Sequence, residues 1–455
     1  MASARPGAAI DNGPLIREID FAPFKMRVSA DRYRDPEYHA RERERLWMRC
    51  WQVAGRQEEL PEPGDWKVYT LFDQSWLLVR GKDGTIRGFV NACRHRGNAF
   101  CQGKGHSARF TCPYHNWTYG LDGALLAVAR PDFDGTIEDF VGDKDELGLI
   151  QVPVDVFAGF IFLNPDPAAE PLLDYLGEVA DLLRPYKLDE MVPVGLNVRE
   201  AIDCNWKVIQ DAFQEGYHIQ GVHPELIPAM DESKERYGFF GDHSVATGPF
   251  GASNMVDLSP DEQVAVIRAL PGTFPAVAQA LPRFEALVEQ CRDASGELHF
   301  TDQTGVRQLL QQATRETWTA QGLDVSGLTD TQMSDNHFHT VFPHLFMTIR
   351  GGECTTILSW PHPDGDPNRC VWHVINLMWL PPEQRRAAME PLLEIAEGDH
   401  FTYFLPLEQD WEQMQHQQNG LRNRTLKETV LTKQEVRLAH YHAVLDAWLE
   451  RGRNG

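Results

Sequence analysis

The chain has no apolar run approaching the roughly 18 residues that span a bilayer. Its first residues, MASARPGAAIDNG, lack the apolar core of a secretion signal. The expectation is a cytoplasmic protein without a membrane segment. Cysteine is scarce: there are eight in 455 residues (Cys50, Cys93, Cys101, Cys112, Cys204, Cys291, Cys354 and Cys370), irregularly spaced. That pattern does not resemble a secreted disulfide framework. A reducing compartment, with some thiolates on metal, fits better. Positive charge is short too, with 43 Lys and Arg against 66 Asp and Glu for a formal net charge of −23. This argues against a general binder of nucleic acid or anionic membranes. Internal repeats and low-complexity tracts are missing, and with 42% hydrophobic residues the chain can bury a large core shared between two domains.

What is present changes in texture along the chain. Residues 36–50, PEYHARERERLWMRC, read as an amphipathic helix. From Trp51 come short β-rich runs separated by Gly, Asp and Pro, with GKDG at 81–84 as a hairpin turn, the pattern of a small antiparallel β domain. It closes near NPDPAAEP at 164–171, and LLDYLGEVADLLRPY then reads as one helix. Ser259 and Glu262 form a capping-box pattern, so residues 259–325 are expected to be mostly helical, a lid over a pocket. Residues 338–380 are β-rich again, and Thr432 with Glu435 begins a last helix.

Three of the cysteines and three histidines fall within CRHRGNAFCQGKGHSARFTCPYHNW, residues 93–117. Cys93-x-His95 and Cys112-x-x-His115 stand sixteen residues apart. Two thiolates and two imidazoles can hold a structural zinc or an iron–sulfur cluster. In a zinc finger of usual spacing one knuckle supplies both cysteines, whereas each loop here supplies one Cys and one His. That order suits a [2Fe–2S] centre with one iron held by two Cys and the other by two His. Cys101 and His106 read as bystanders. A second constellation lies in NWKVIQDAFQEGYHIQGVH, residues 205–223. With one carboxylate, His218 and His223 would make a 2-His-1-carboxylate triad that leaves positions for O₂. On a regular helix residues five apart diverge by about 140°, so a π-type widening or unwinding at Gly221 is expected. His337, His339 and His344 are a weaker group, read as pocket-wall or surface histidines because no Cys or acid partners them at metal spacing. Trp360, Trp372 and Trp379 read as core.

CRHRG and CPYHNWTYGLDG together resemble the Rieske motif of the ring-hydroxylating, Rieske-type non-haem iron oxygenases, and the resemblance runs over residues 30–450. One departure is Asn116, where that family commonly has Gly. The resemblance implies an α+β protein: a small antiparallel β Rieske domain (51–165) and a helix-grip (START-like) catalytic domain (166–455), an antiparallel sheet around a long helix. A helical insertion at about 259–325 and an N-terminal helical segment (1–50) packed on the catalytic domain complete it. It implies a [2Fe–2S] cluster on Cys93, His95, Cys112 and His115. It also implies a mononuclear Fe(II) on His218, His223 and a downstream acid, taken as Asp410 in PLEQDWEQMQHQQNGL with Glu408 as the alternative. Glu215, where most of the family carries Asp, is implied as the carboxylate that links cluster and iron between subunits. Glu at this position occurs in branches that oxidise quaternary ammonium compounds. The expected activity is that of a terminal oxygenase acting on an aromatic or largely apolar small molecule, the alternative being demethylation or oxidation of a quaternary amine. The expected partners are a ferredoxin or flavin reductase, sister subunits in a trimer, and a small β subunit in some systems. A basic island, Arg87, Arg94, Arg96, Lys104 and Arg109, with no acid between Asp83 and Asp122, is the expected landing surface for the electron donor.

Overall fold

Alternating apolar residues bounded by Gly and Pro turns make strands that bury one face, and this texture builds the smaller of two units. The structure is a computed structural model that describes residues 19–129, 143–251, 257–301 and 305–451. Contacts divide it into Glu42–Tyr175 and Met1–Arg41 with Leu176–Gly455. No helix among the described residues is long and apolar enough to cross a membrane.

The smaller unit is three antiparallel sheets. In the largest, Gln74–Arg80 lies between Ile86–Val90 and Asp65–Leu71, and Lys104–His106 forms one edge. GKDG makes the turn between Arg80 and Ile86, with Gly84 at φ +81°. A three-stranded sheet, Phe110–Thr111, Thr118–Tyr119 and Leu125–Ala127, carries the second Cys/His loop. Its core places Leu77, Val79, Phe89 and Phe110 around Cys93, Cys101 and Cys112, so the thiols are shielded from water.

In the larger unit eight strands form one sheet: β1 Met191–Ile202, β2 Arg236–Phe240, β3 His243–Gly248, β4 Asn336–Val341, β5 Leu345–Arg350, β6 Glu353–Pro361, β7 Cys370–Trp379 and β8 Leu393–Glu394. The order is β2-β3-β4-β5-β6-β7-β1-β8, antiparallel except for the β1–β8 edge pair. Helix α1, Trp206–Phe213, lies on this sheet: Gln210 donates to the His344 carbonyl and to Ser359 Oγ, which itself donates to the Trp206 carbonyl. Between β3 and β4 the chain leaves the sheet for α2 (Pro260–Ala269), α3 (Pro275–Glu289) and α4 (Val306–Ala320). Their apolar faces, including Val264, Phe284, Leu287 and Leu310, build a core with Phe250. The Ser259/Glu262 capping box starts α2 as the sequence suggests. Two long helices close the chain, α5 Leu405–Leu421 and α6 Val436–Glu450. Buried Gln418 on α5 accepts from the Asn205 backbone N–H and donates to the Tyr33 carbonyl, which fixes α5 against the start of α1. The N-terminal stretch Arg27–Ser29 pairs with Glu428–Val430.

Two sequence readings need correction. The helix expected over LLDYLGEVADLLRPY is split into Leu172–Leu176 and Glu178–Leu183, because Gly177 takes φ +51°, which glycine adopts without steric cost. His337, His339 and His344 are not surface residues, and they are not in the lining of the cavity beside His218 and His223. All three are buried, the first two beside Tyr186 and the third against Trp360, and burial pushes His337 down to about 4 and His344 to about 3.

Candidate metal centres and active-site cavity

The two Cys/His loops are near copies. Cys93 N–H donates to the Asn98 carbonyl and Gly97 N–H donates back to the Cys93 carbonyl. In the second loop Cys112 N–H donates to Trp117 and Asn116 N–H to the Cys112 carbonyl. The closing residue of each loop needs left-handed backbone, with Gly97 at φ +71° and Asn116 at φ +57°. Asn is the side-chain-bearing residue that enters this region most easily, which accounts for the departure at 116: it serves the backbone of the loop.

Both loops turn a histidine outward and a cysteine inward. Cys93 and Cys112 are buried, while the Nδ1 atoms of His95 and His115 face each other at 3.2 Å. His95 stacks on Trp117 and Tyr114 lies over His115. A single tetrahedral zinc would need all four donors around one point. Among the described residues, the groups of three or more donors lying within 4.8 Å of one another are His218/His223/Asp410 and the exposed Asp293/Glu297/His299. The loops thus present a nitrogen pair, His95 and His115, on the outside and two buried thiols, Cys93 and Cys112, on the inside, a donor set that would suit two metals with sulfur on one and nitrogen on the other. One contact here was not foreseen. The hydroxyl of fully buried Tyr119 lies 3.3 Å from Cys93 Sγ and accepts the Arg94 N–H at 3.0 Å. Burial, then the hydrogen bond with Cys93, holds this phenol well above the ordinary tyrosine range, so it stays a donor.

In the larger unit α1 stops at Phe213 and a short turn, Ile219–Val222, separates His218 from His223. The helix is broken, not widened, and the break lies before His218. Gly221 sits inside the short turn with open space around its Cα, whereas a Cβ on Gly216 would come within 3.0 Å of Glu235 and Glu232. Glu215 supports the turn: Oε2 accepts the His218 backbone N–H at 3.0 Å and Oε1 faces His218 Nδ1 at 2.7 Å. The rings of His218 and His223 then meet edge to face, 5.1 Å apart.

Asp410, on the second turn of α5, completes the group. Its Oδ1 is 2.9 Å from His223 Nε2 and 3.7 Å from His218 Nε2. Glu408, the alternative, is engaged elsewhere, accepting the Tyr403 N–H and facing His400. Burial opposes a charge on His218, yet the hydrogen bond and charge of Glu215, with Asp410, outweigh it and raise the imidazole to about 9. A set whose field favours a cation this strongly, with two Nε2 atoms and one carboxylate oxygen converging, fits a divalent metal bound on one face. Gln409 was also missed by the sequence reading, although it adjoins Asp410. Its Oε1 lies 2.8 Å from His223 Nδ1.

This group lines a cavity of about 130 Å³. Phe213, Phe274, Phe338, Phe346 and Phe404, with Leu226, Met230, Ile357 and Leu407, give it an apolar wall. Its polar points are few: Thr273, Asn336, Thr348, Thr355, Glu235 and Arg437 beside the His218/His223/Asp410 group. Burial pushes Glu235 up to about 7 against the charge of Arg437 and the hydrogen bond from Tyr237.

A small Rieske-like unit and a helix-and-sheet unit with two histidines and an aspartate at a cavity define an iron–sulfur oxygenase architecture. Residues 50–136 match the Rieske [2Fe-2S] domain and residues 183–451 match the ring hydroxylating alpha subunit (catalytic domain). The chain belongs to the ring-hydroxylating alpha-subunit family, whose two domains imply a Rieske cluster and a mononuclear iron. It is 38% identical over 202 residues to the glycine betaine monooxygenase oxygenase subunit of Chromohalobacter salexigens, which is 44% of each chain. To the biphenyl dioxygenase subunit alpha of Paraburkholderia xenovorans it is 32% identical over 255 residues, 52% of this chain and 54% of that one. The chain thus spans about half the length of the curated relatives it matches. A quaternary ammonium Rieske monooxygenase structure superposes with a TM-score of 0.63 at 18% identity, covering 93% of this chain and 96% of that one, a likeness of fold.

Proposed function

We propose that the protein is the terminal oxygenase of a multicomponent system, hydroxylating or dihydroxylating an aromatic or largely apolar small molecule. The observation that carries this reading is the convergence of His218, His223 and Asp410 in the lining of a cavity walled by phenylalanines. Cys93, His95, Cys112 and His115 would hold the [2Fe–2S] cluster, and His218, His223 and Asp410 the ferrous iron. When bound, these groups supply single electrons and a place to reduce O₂. Monohydroxylation consumes one O₂, two electrons and two protons and releases water. Glu215 orients His218, the apolar wall takes the body of the substrate and excludes bulk water, and Thr273, Thr348 and Thr355 offer orienting hydrogen bonds.

A second reading, oxidation of a quaternary amine, is favoured by one feature of the cavity. Five phenyl rings offer π faces, the chemistry that holds a cationic head. Two experiments decide. Iron and acid-labile sulfide analysis is expected to give three irons and two sulfides per chain, and a colourless, zinc-loaded protein ends the proposal. A screen with a surrogate reductase across aromatic hydrocarbons, aromatic acids, methyl ethers and quaternary amines, read as product-coupled oxygen uptake, separates the two substrate classes.

Electrons would come from an acidic ferredoxin or flavin reductase at the exposed Arg94, Arg96, Lys104 and Arg109. Arg87 is spent on an ion pair with Asp83. A homotrimer, with or without a β subunit, in which one subunit's cluster serves its neighbour's iron, rests on family resemblance. Mixing Cys112→Ser chains with His223→Ala chains tests it, since activity returns only if electrons cross between subunits. Eight free cysteines support a reducing, cytoplasmic setting.

A further inference from the structure

His218 and His223 enter the same centre but are held from behind by unlike groups. His218 Nδ1 faces the carboxylate of Glu215 at 2.7 Å, whereas His223 Nδ1 faces the side-chain amide of Gln409 at 2.8 Å. Glu225 Oε1 also faces His223 Nδ1, but at 3.9 Å it is too far for a hydrogen bond. A neutral imidazole carries its proton on one nitrogen and its lone pair on the other. The lone pair of His223 is useful only at Nε2, which points at Asp410. Nδ1 must therefore carry the proton, and a proton there needs an acceptor. A hydrocarbon at position 409 would free the ring to rotate or to take the other tautomer, which aims an N–H at the metal position.

We infer that Gln409 is a positioning residue for the mononuclear centre: its amide oxygen accepts the Nδ1 proton of His223 and so fixes the ring with its Nε2 lone pair on the metal. The inference rests on the metal-centre reading above. Helix α5 thus delivers two adjacent side chains to the two nitrogens of one ring, Asp410 to Nε2 and Gln409 to Nδ1.

The test uses the full chain with its cluster assembled and measures Fe(II) affinity at the third site by chelator competition. Gln409→Leu is expected to weaken Fe(II) about 10–100-fold, the usual cost of losing such a partner. Gln409→Asn, one methylene too short to reach, should lose as much. Gln409→Glu, which keeps an acceptor, should bind at least as tightly as the native chain. Glu225→Gln should stay within about twofold, and all four should keep the native cluster absorbance and melting temperature. Native affinity in both Gln409→Leu and Gln409→Asn overturns the inference, as does weak binding in Gln409→Glu or a large loss in Glu225→Gln. A native chain that binds no third iron brings down the metal-centre reading and this inference with it, a result separable from the others because it appears before any substitution.

Discussion

Tyr119 gives the most direct physical handle on the cluster loops. Its hydroxyl is buried, protonated and 3.3 Å from Cys93 Sγ, so in Tyr119→Phe the sulfur loses a donor and little else moves. Reduction adds one negative charge to the cluster, and a hydrogen bond to a charged acceptor contributes about 1.5–3 kcal/mol against about 0.5–1.5 for a neutral one. The bond should therefore strengthen by about 1–2 kcal/mol on reduction. At about 59 mV for each 1.4 kcal/mol in a one-electron couple, the variant's potential should fall by about 40–90 mV. The change also strips the Arg94 N–H of its acceptor, so a modest loss in melting temperature should accompany it. The assay is a redox titration followed by the visible circular dichroism of the cluster. A potential within about 10 mV of the native value, or a higher one, refutes the argument. That result would mean that the hydroxyl spends its proton elsewhere, or that the sulfur carries too little of the added charge to feel it.

The remaining predictions concern the loops, the link and the surface. Asn116→Gly should leave the cluster loop intact, while Asn116→Val, a β-branched residue forced to φ +57°, should cost about 1–2 kcal/mol and lower cluster occupancy, read by unfolding and by iron content. Glu215→Gln should keep both metal sites yet slow single-turnover oxidation of the reduced cluster by about 10–100-fold, because the carboxylate behind His218 is neutralised at constant volume. Unimpaired product formation would remove Glu215 from that role. Lys104→Glu, on an exposed edge strand, should raise the apparent KM for the electron donor most at low ionic strength and leave chemical reduction of the cluster unchanged.

Much of the site was legible because its chemistry is local. A Cys and a His two or three residues apart must share a loop, and repeating that loop sixteen residues later declares a two-sided clamp before any coordinates are seen. His218 and His223 were legible by the same proximity. The break before His218 was not, since it depends on Glu215 folding back onto the His218 N–H and on Glu232 and Glu235 closing over Gly216, from a segment outside the motif. Which of the two acids meets a histidine is a matter of packing: α5, locked to the start of α1 by Gln418, brings Asp410 to a histidine 187 residues earlier while Glu408 turns to the preceding loop. Tyr119, Gln409 and the phenylalanine wall of the cavity left no readable trace, because hydrogen bonds between distant residues and the facing of strands β4, β5 and β6 are consequences of register and packing. By itself the sequence determined which atoms can bind metal, since donor chemistry belongs to the side chain. Which of those atoms meet, which proton each imidazole keeps and what shape of molecule fits beside them were decided only by the tertiary structure, because those depend on distances that the backbone sets across the whole fold.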